Sequence, residues 1–128
     1  MTATTSAVKG LKVLIVEDET VVSFLAEDML FDLGAAEIAH AADVSEALAT
    51  ADRFRPDIAL LDVNLKGFRV FPVAQRLSDL GAPFVFATGY CLGEIPEEWA
   101  DRPVVEKPYD EAMLRRALGE AMAGAALR

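Results

Sequence analysis

At 128 residues the chain has the usual size of one domain, and a 53% apolar composition is ample for a single core. A formal net charge of −9 argues against nucleic acid as a partner, because the electrostatic part of that affinity comes from Lys and Arg neutralising phosphates. One cysteine (Cys91) and one histidine (His40) exclude an internal disulfide and a thiolate or imidazole zinc site.

No run approaches the ~18 consecutive apolar residues that a membrane helix needs, and the opening MTATTSAVKG lacks the apolar centre of a signal peptide. Residues 1–10 read as a flexible tail and residues 11–128 as the folded domain, expected in the cytoplasm and away from membranes.

Strand and helix signals alternate along the chain. Lys12 to Val16 is a near-continuous β-branched run of the kind that buried parallel strands show. Val21, Val22, Leu25, Met29, Leu30 and Leu33 follow at helical spacing, and Gly34 is a natural stop. Glu37 to Ala41 is a weaker strand. Asp43 and Glu46 have the spacing of a capping box, which starts a second helix from Val44 to about Ala51. Ile58 to Leu61 is a third strand ending at Asp62, and Val63 to Phe68, with Asn64 and Gly67, suits a loop.

A third helix begins near Val70, with Pro72 in its first turn and an apolar stripe of Val70, Val73, Ala74, Leu77 and Leu80 up to Gly81. Phe84 to Ala87 is a fourth strand leading into Thr88 and Gly89. From Tyr90 to Arg102 the pattern supports at most a short fourth helix. Pro103 to Glu106 is a short fifth strand before Lys107 and Pro108, and the last helix starts near Asp110. Five such alternations imply an α/β domain, a parallel sheet with helices on both faces. Functional residues of such sheets gather beyond the carboxyl ends of the strands, at the topological switch point.

Polar residues stand at four of those ends: Glu17 and Asp18, then Asp62, Thr88 and Lys107. Clustered carboxylates repel and raise one another's pKa unless a cation neutralises them. An all-oxygen donor set suits Mg²⁺, with Asp18 and Asp62 as direct ligands and Glu17 holding the ion directly or through water. Asp62 is the best nucleophile, since a carboxylate accepts a phosphoryl group as an acyl phosphate. Thr88 and Lys107 supply a hydroxyl and a cation for the developing phosphoryl oxygens.

The words VLIVEDE, LLDVNLKG, FATGY and EKPYD, in this order and spacing, make the chain from Leu11 to Leu127 resemble the receiver domain of two-component response regulators. The resemblance implies a flavodoxin-like sheet of order 2-1-3-4-5 and phosphorylation of Asp62 by a histidine kinase. It also implies metal ligation by the backbone carbonyl of Asn64 and a cis Lys107–Pro108 bond, which X-Pro alone adopts cheaply. FATGY with a weak fourth helix resembles the FATGUY-like single-domain subgroup, whose kinases are of the HWE or a related class. Two departures stand out: Glu17 replaces the family's first aspartate, and Val104 stands where an aromatic switch is usual. Tyr90, two residues past Thr88, is expected to take over part of that switch.

The resulting expectation is a single-domain signalling protein that catalyses only its own phosphorylation and dephosphorylation. Its partners would be a histidine kinase or a phosphotransfer protein and a downstream protein target, or it would act as a phosphate sink in a phosphorelay. A homodimer through the last helix region is a further expectation. A phosphorylation-independent pseudo-receiver adaptor is the alternative, and a metal-dependent phosphatase ranks last because Asn64 stands where such enzymes carry a second acid. Taken singly, Asp18 would read as a helix cap and Lys107 as a surface lysine. His40 reads as structural or exposed, Cys91 as a minor redox candidate, Trp99 and Tyr90 as partial core aromatics or partner anchors, with partner contact slightly favoured, and Glu94, Glu97, Glu98 and Asp101 as a solvated face.

Overall fold

A computed structural model describes residues 7–89 and 95–127. In chain order the elements are β1 (Lys12–Val16), α1 (Thr20–Asp32), β2 (Glu37–Ala41), α2 (Val44–Phe54), β3 (Ile58–Asp62), β4 (Asn64–Leu65), β5 (Phe68–Arg69), α3 (Phe71–Asp79), β6 (Phe84–Thr88), β7 (Val104–Glu106) and α4 (Glu111–Ala126). A single 3₁₀ turn, Glu97–Trp99, is the regular structure described between β6 and β7. The main sheet has the order β2-β1-β3-β6-β7 with every pairing parallel, the flavodoxin-like order expected when its strands are counted alone.

Two apolar layers sandwich this sheet. Leu14, Val16, Leu61 and Phe86 pack with Ala47 and Ala51 of α2 and Val73 and Leu77 of α3. Val13, Ile15, Leu60 and Val85 pack with Ala26 and Leu30 of α1 and Leu114 and Leu118 of α4. Alternation along each strand feeds both layers, which is why β3 and β6 are buried at every residue and read as unbroken apolar runs. β2 lies at the edge and is only part-buried, the physical basis of its weak sequence signal.

Helix boundaries follow their caps. Asp43 Oδ1 accepts from the Glu46 amide at 2.8 Å, while Glu46 Oε1 accepts from the Ala42 amide at 2.7 Å, a capping box displaced by one residue on its return bond. α2 runs a turn beyond Ala51, because Asp52 and Arg53 continue it with a polar face until Arg55 takes a left-handed conformation before Pro56. Asp110 caps α4 through the Met113 amide at 2.8 Å. At Gly34 the backbone is left-handed (φ 99°), and an added Cβ would come within 3.2 Å of the Lys9 backbone.

Four expectations are corrected. The expected α1 stripe holds at Leu30 and Leu33, which are buried, and at Met29, which packs against that layer, but Val21 and Leu25 are 70% and 54% exposed, as are Phe24 and Phe31 at 60% and 46%, while Ser23 and Ala26 are buried. In the first half of the helix the small residues Ser23 and Ala26, themselves at helical spacing to Leu30, take the inward face. The span 63–68 is no plain loop: β4 and β5 form an antiparallel hairpin, turned by Lys66 and Gly67 at φ 53° and 87°, the positive pair of a type I′ turn. Trp99 is 6% exposed and packs edge-on against Phe84 with centroids 5.7 Å apart, so it is a core aromatic. Packed structure also begins before Leu11: Val8 is fully buried, and the Gly10 amide donates to the Gly34 carbonyl at 2.8 Å. Residues 1–6 lie outside the described residues.

Truncating Val8 to alanine is expected to destabilise the domain by about 2 kcal/mol, the cost of lost apolar burial plus a small cavity. Equilibrium denaturation checks this, and an unchanged midpoint would return residues 7–10 to the tail.

Candidate functional site

The sheet reverses its winding at β1, so the crevice between the carboxyl ends of β1 and β3 is the switch point. Glu17 and Asp18 leave the end of β1 and Asp62 closes β3 there. The Glu17 amide donates to the Ala41 carbonyl at 3.0 Å, which extends the ladder just far enough to hold that side chain under the crevice. One oxygen from each of Glu17, Asp18 and Asp62 falls within 4.8 Å of the others. Glu17 and Asp62 are each 6% exposed.

Lys107 reaches this group from the end of β7. Its Nζ lies 2.7 Å from Glu17 Oε1, 3.2 Å from Asp62 Oδ2 and 4.0 Å from Glu19 Oε1. Its amide donates to the Thr88 carbonyl at 2.9 Å, which ties it to β6, and the Lys107–Pro108 peptide is cis. Thr88 is 3% exposed and lines, with Asp62, Asn64 and Lys107, an open cavity of about 390 Å³.

The β4–β5 hairpin closes the other side. The Asn64 amide donates to Asp62 Oδ1 at 3.2 Å, the Lys66 amide to Asp18 Oδ2 at 2.9 Å, and the Gly67 amide to Asn64 Oδ1 at 3.2 Å. Asp18 is therefore bonded across the crevice rather than capping α1, whose cap position is Glu19 with no side-chain bond. Lys66 and its turn escaped the sequence reading. The available signal was the Asn64-to-Gly67 spacing, in which an Asn side chain bonds the amide of a glycine three residues on.

Burial sets the charge balance. It pushes the Glu17 carboxyl up to about 7, with the Asp62 charge adding to the rise and the Lys107 bond opposing it. Burial also raises Asp62 against the pull of the Lys107 charge. Burial alone would lower Lys107, but the Glu17 bond and the two carboxylates more than offset this and raise it. Tyr109, another residue the sequence reading missed, is pushed up to about 12 by burial and by the Glu17 charge. Like Met29, it packs partly buried against the layer under α1 and α4.

Glu17, Asp18, Asp62, Asn64, Thr88 and Lys107 are thus gathered around one crevice. Tyr90 and Cys91 lie outside the described residues, as does Glu94. Val104 pairs with Phe86 and packs on the aromatic layer of Phe84, Phe86 and Trp99. His40 stays apart: Nδ1 lies 2.6 Å from Ser23 Oγ and Nε2 pairs with Glu27, fastening β2 to α1. The donor set fits a hard divalent cation, being three carboxylates, two of them buried, that one ammonium only partly neutralises.

Residues 13–118 match the model of the response regulator receiver domain, and the chain belongs to that family, a signalling family. It is 34% identical over 116 residues to the sensory transduction protein LytT of Bacillus subtilis (strain 168), covering 84% of this chain and 46% of that protein. The chain therefore spans about half the length of the curated relatives it matches. The solution structure of SdrG from Sphingomonas melonis Fr1 is similar with a TM-score of 0.80 and 36% identity, covering 88% of this chain and 97% of that one. The receiver domain of PhyR from Erythrobacter litoralis superposes with a TM-score of 0.77 at 28% identity, covering 91% of this chain and 93% of that one. No helix among the described residues is long and apolar enough to cross a membrane.

Because folding raises the Glu17 pKa from 4.5 to about 7, the folded chain binds that proton more tightly than the unfolded chain does. Metal-free stability is therefore expected to fall as pH rises through this window. Divalent-ion affinity should move oppositely, weakening by up to about tenfold per unit as pH drops below neutrality. Calorimetric Mg²⁺ titrations at about pH 6 and pH 8 check it; equal affinities would contradict it.

Proposed function

We propose that the chain is a phospho-receiver in which Asp62 accepts a phosphoryl group from a histidine kinase or a phosphotransfer protein. The observation that carries this reading is the Lys107 ammonium held 3.2 Å from Asp62 and 2.7 Å from Glu17, over an open cavity at the strand ends. An Asp62 oxygen attacks phosphorus, the bond from phosphorus to the donor nitrogen breaks, and the donor imidazole leaves. Lys107 exchanges its Asp62 contact for a new phosphoryl oxygen, and the Thr88 hydroxyl donates to another. Glu17, Asp18, Asp62 and the Asn64 carbonyl would hold Mg²⁺, which neutralises charge gathering on the phosphoryl oxygens. The acyl phosphate later loses its group to water, so the chain catalyses only its own modification.

The exposed α1 stripe of Val21, Phe24, Leu25 and Phe31 supports a protein donor rather than a small one. It adjoins an apolar groove lined by Val22, Leu25, Met29, Pro108 and Tyr109 that opens beside Lys107. A helical phosphodonor laid there brings its imidazole to the crevice. Output passes to a downstream protein target, or the phosphate simply drains away as in a sink. Such partners place the protein in the cytoplasm.

The second reading is a phosphorylation-independent adaptor. Val104 favours it, because an aliphatic side chain in the Phe84, Phe86 and Trp99 layer has no polar end to report a change at Asp62.

Incubation with Mg²⁺ and a small acyl phosphate is expected to add one labile phosphate that Asp62→Asn abolishes. Lys107→Ala should slow this labelling roughly 100-fold, the usual effect of removing one preorganised oxyanion partner. An unlabelled but folded protein would leave the adaptor reading, and repeated turnover would reveal a phosphatase. Leu25→Glu separates the donor question: transfer from a phosphorylated kinase should drop while labelling by the small donor persists.

A further inference from the structure

The hairpin that faces the carboxylates on one side builds a second feature on its other side. Asn64 and Gly67 line the crevice, whereas Leu65 and Phe68 turn into a cleft of about 610 Å³ completed by Val44 and Leu48 of α2. Asp43 and Lys66 stand at its rim, both exposed and of opposite charge. Phe68 is 71% exposed, an aromatic side chain standing at the edge of an apolar hollow that its own chain leaves unfilled.

A two-fold contact uses one surface patch twice, so the patch must complement itself. This one does, offering a knob, a hollow, an acid and a base side by side. We propose that this face pairs with the same face of a second copy of the chain. Each Phe68 ring enters the other copy's cleft, and each Lys66 ammonium meets the other copy's Asp43 carboxylate. The seam lies on α2 and the hairpin, away from the last helix, and the proposal does not rest on phosphorylation of Asp62. The net charge of −9 on each copy opposes association, but at physiological salt the Debye length of about 8 Å screens that long-range repulsion more than the close Lys66–Asp43 contacts.

Sedimentation across a concentration series tests this with the full chain. The expected result is a monomer–dimer equilibrium whose midpoint Phe68→Ala raises about tenfold, as loss of a central aromatic anchor does. Lys66→Asp and Asp43→Lys should each weaken self-association, and mixing the two variants should restore a mixed dimer, because both cross-contacts are then again between opposite charges. Lys66 sits at φ 53°, a conformation that Asp tolerates, and circular dichroism is the control for the fold of Asp43→Lys, which loses its cap. A monomer at every concentration would overturn the proposal. So would a dimer indifferent to these substitutions, which would place the seam elsewhere, such as the last helix region.

Discussion

The Lys107 ammonium makes the crevice possible. Parallel topology brings Glu17, Asp18 and Asp62 within 4.8 Å at the place where the sheet reverses its winding. Two carboxylates about 4 Å apart repel by roughly 4 kcal/mol at an effective dielectric near 20, and burial adds to that cost. One cation 2.7 Å from Glu17 and 3.2 Å from Asp62 offsets much of it but leaves net negative charge, while burial, with the Asp62 charge adding to it, raises the Glu17 pKa. The site is poised for a second cation, and a bound phosphoryl group competes for the same ammonium.

Around that interaction the fold divides its labour. The two apolar layers carry four strands to one end of the sheet and fix the crevice floor. The hairpin after Asp62 is tied to the acids through backbone amides at Asn64 and Lys66. Its remaining side chains face α2. A change at Asp62 thus has a short mechanical route to the surface through the hairpin, whereas the Val104 side of the sheet is filled by packed aromatics.

Much of this was legible from residues alone. Continuous β-branched or aliphatic runs have no other home than a two-sided buried strand, and acids, Thr88 and Lys107 at their ends locate the crevice. What was not legible has physical reasons. In α1 the helical period fits Val21 and Leu25 as well as Ser23 and Ala26, and only the tertiary packing puts Ser23 and Ala26 inside with Leu30. Lys66 looks like any solvated lysine until its amide is seen bonded to Asp18, 48 residues away. Trp99 stands in a stretch without periodicity, and only the tertiary contact with Phe84 and Arg102 buries it. Val8 sits in a polar opening segment, where one apolar residue carries no pattern.

The most direct test is a Mg²⁺ titration followed by amide and lysine side-chain NMR. The account predicts that the Asn64 and Lys66 amides, bonded to Asp62 and Asp18, shift together with the Lys107 ammonium and saturate with one ion. Shifts confined to solvated acids such as Glu97 and Glu98, with those three signals unmoved, would contradict it.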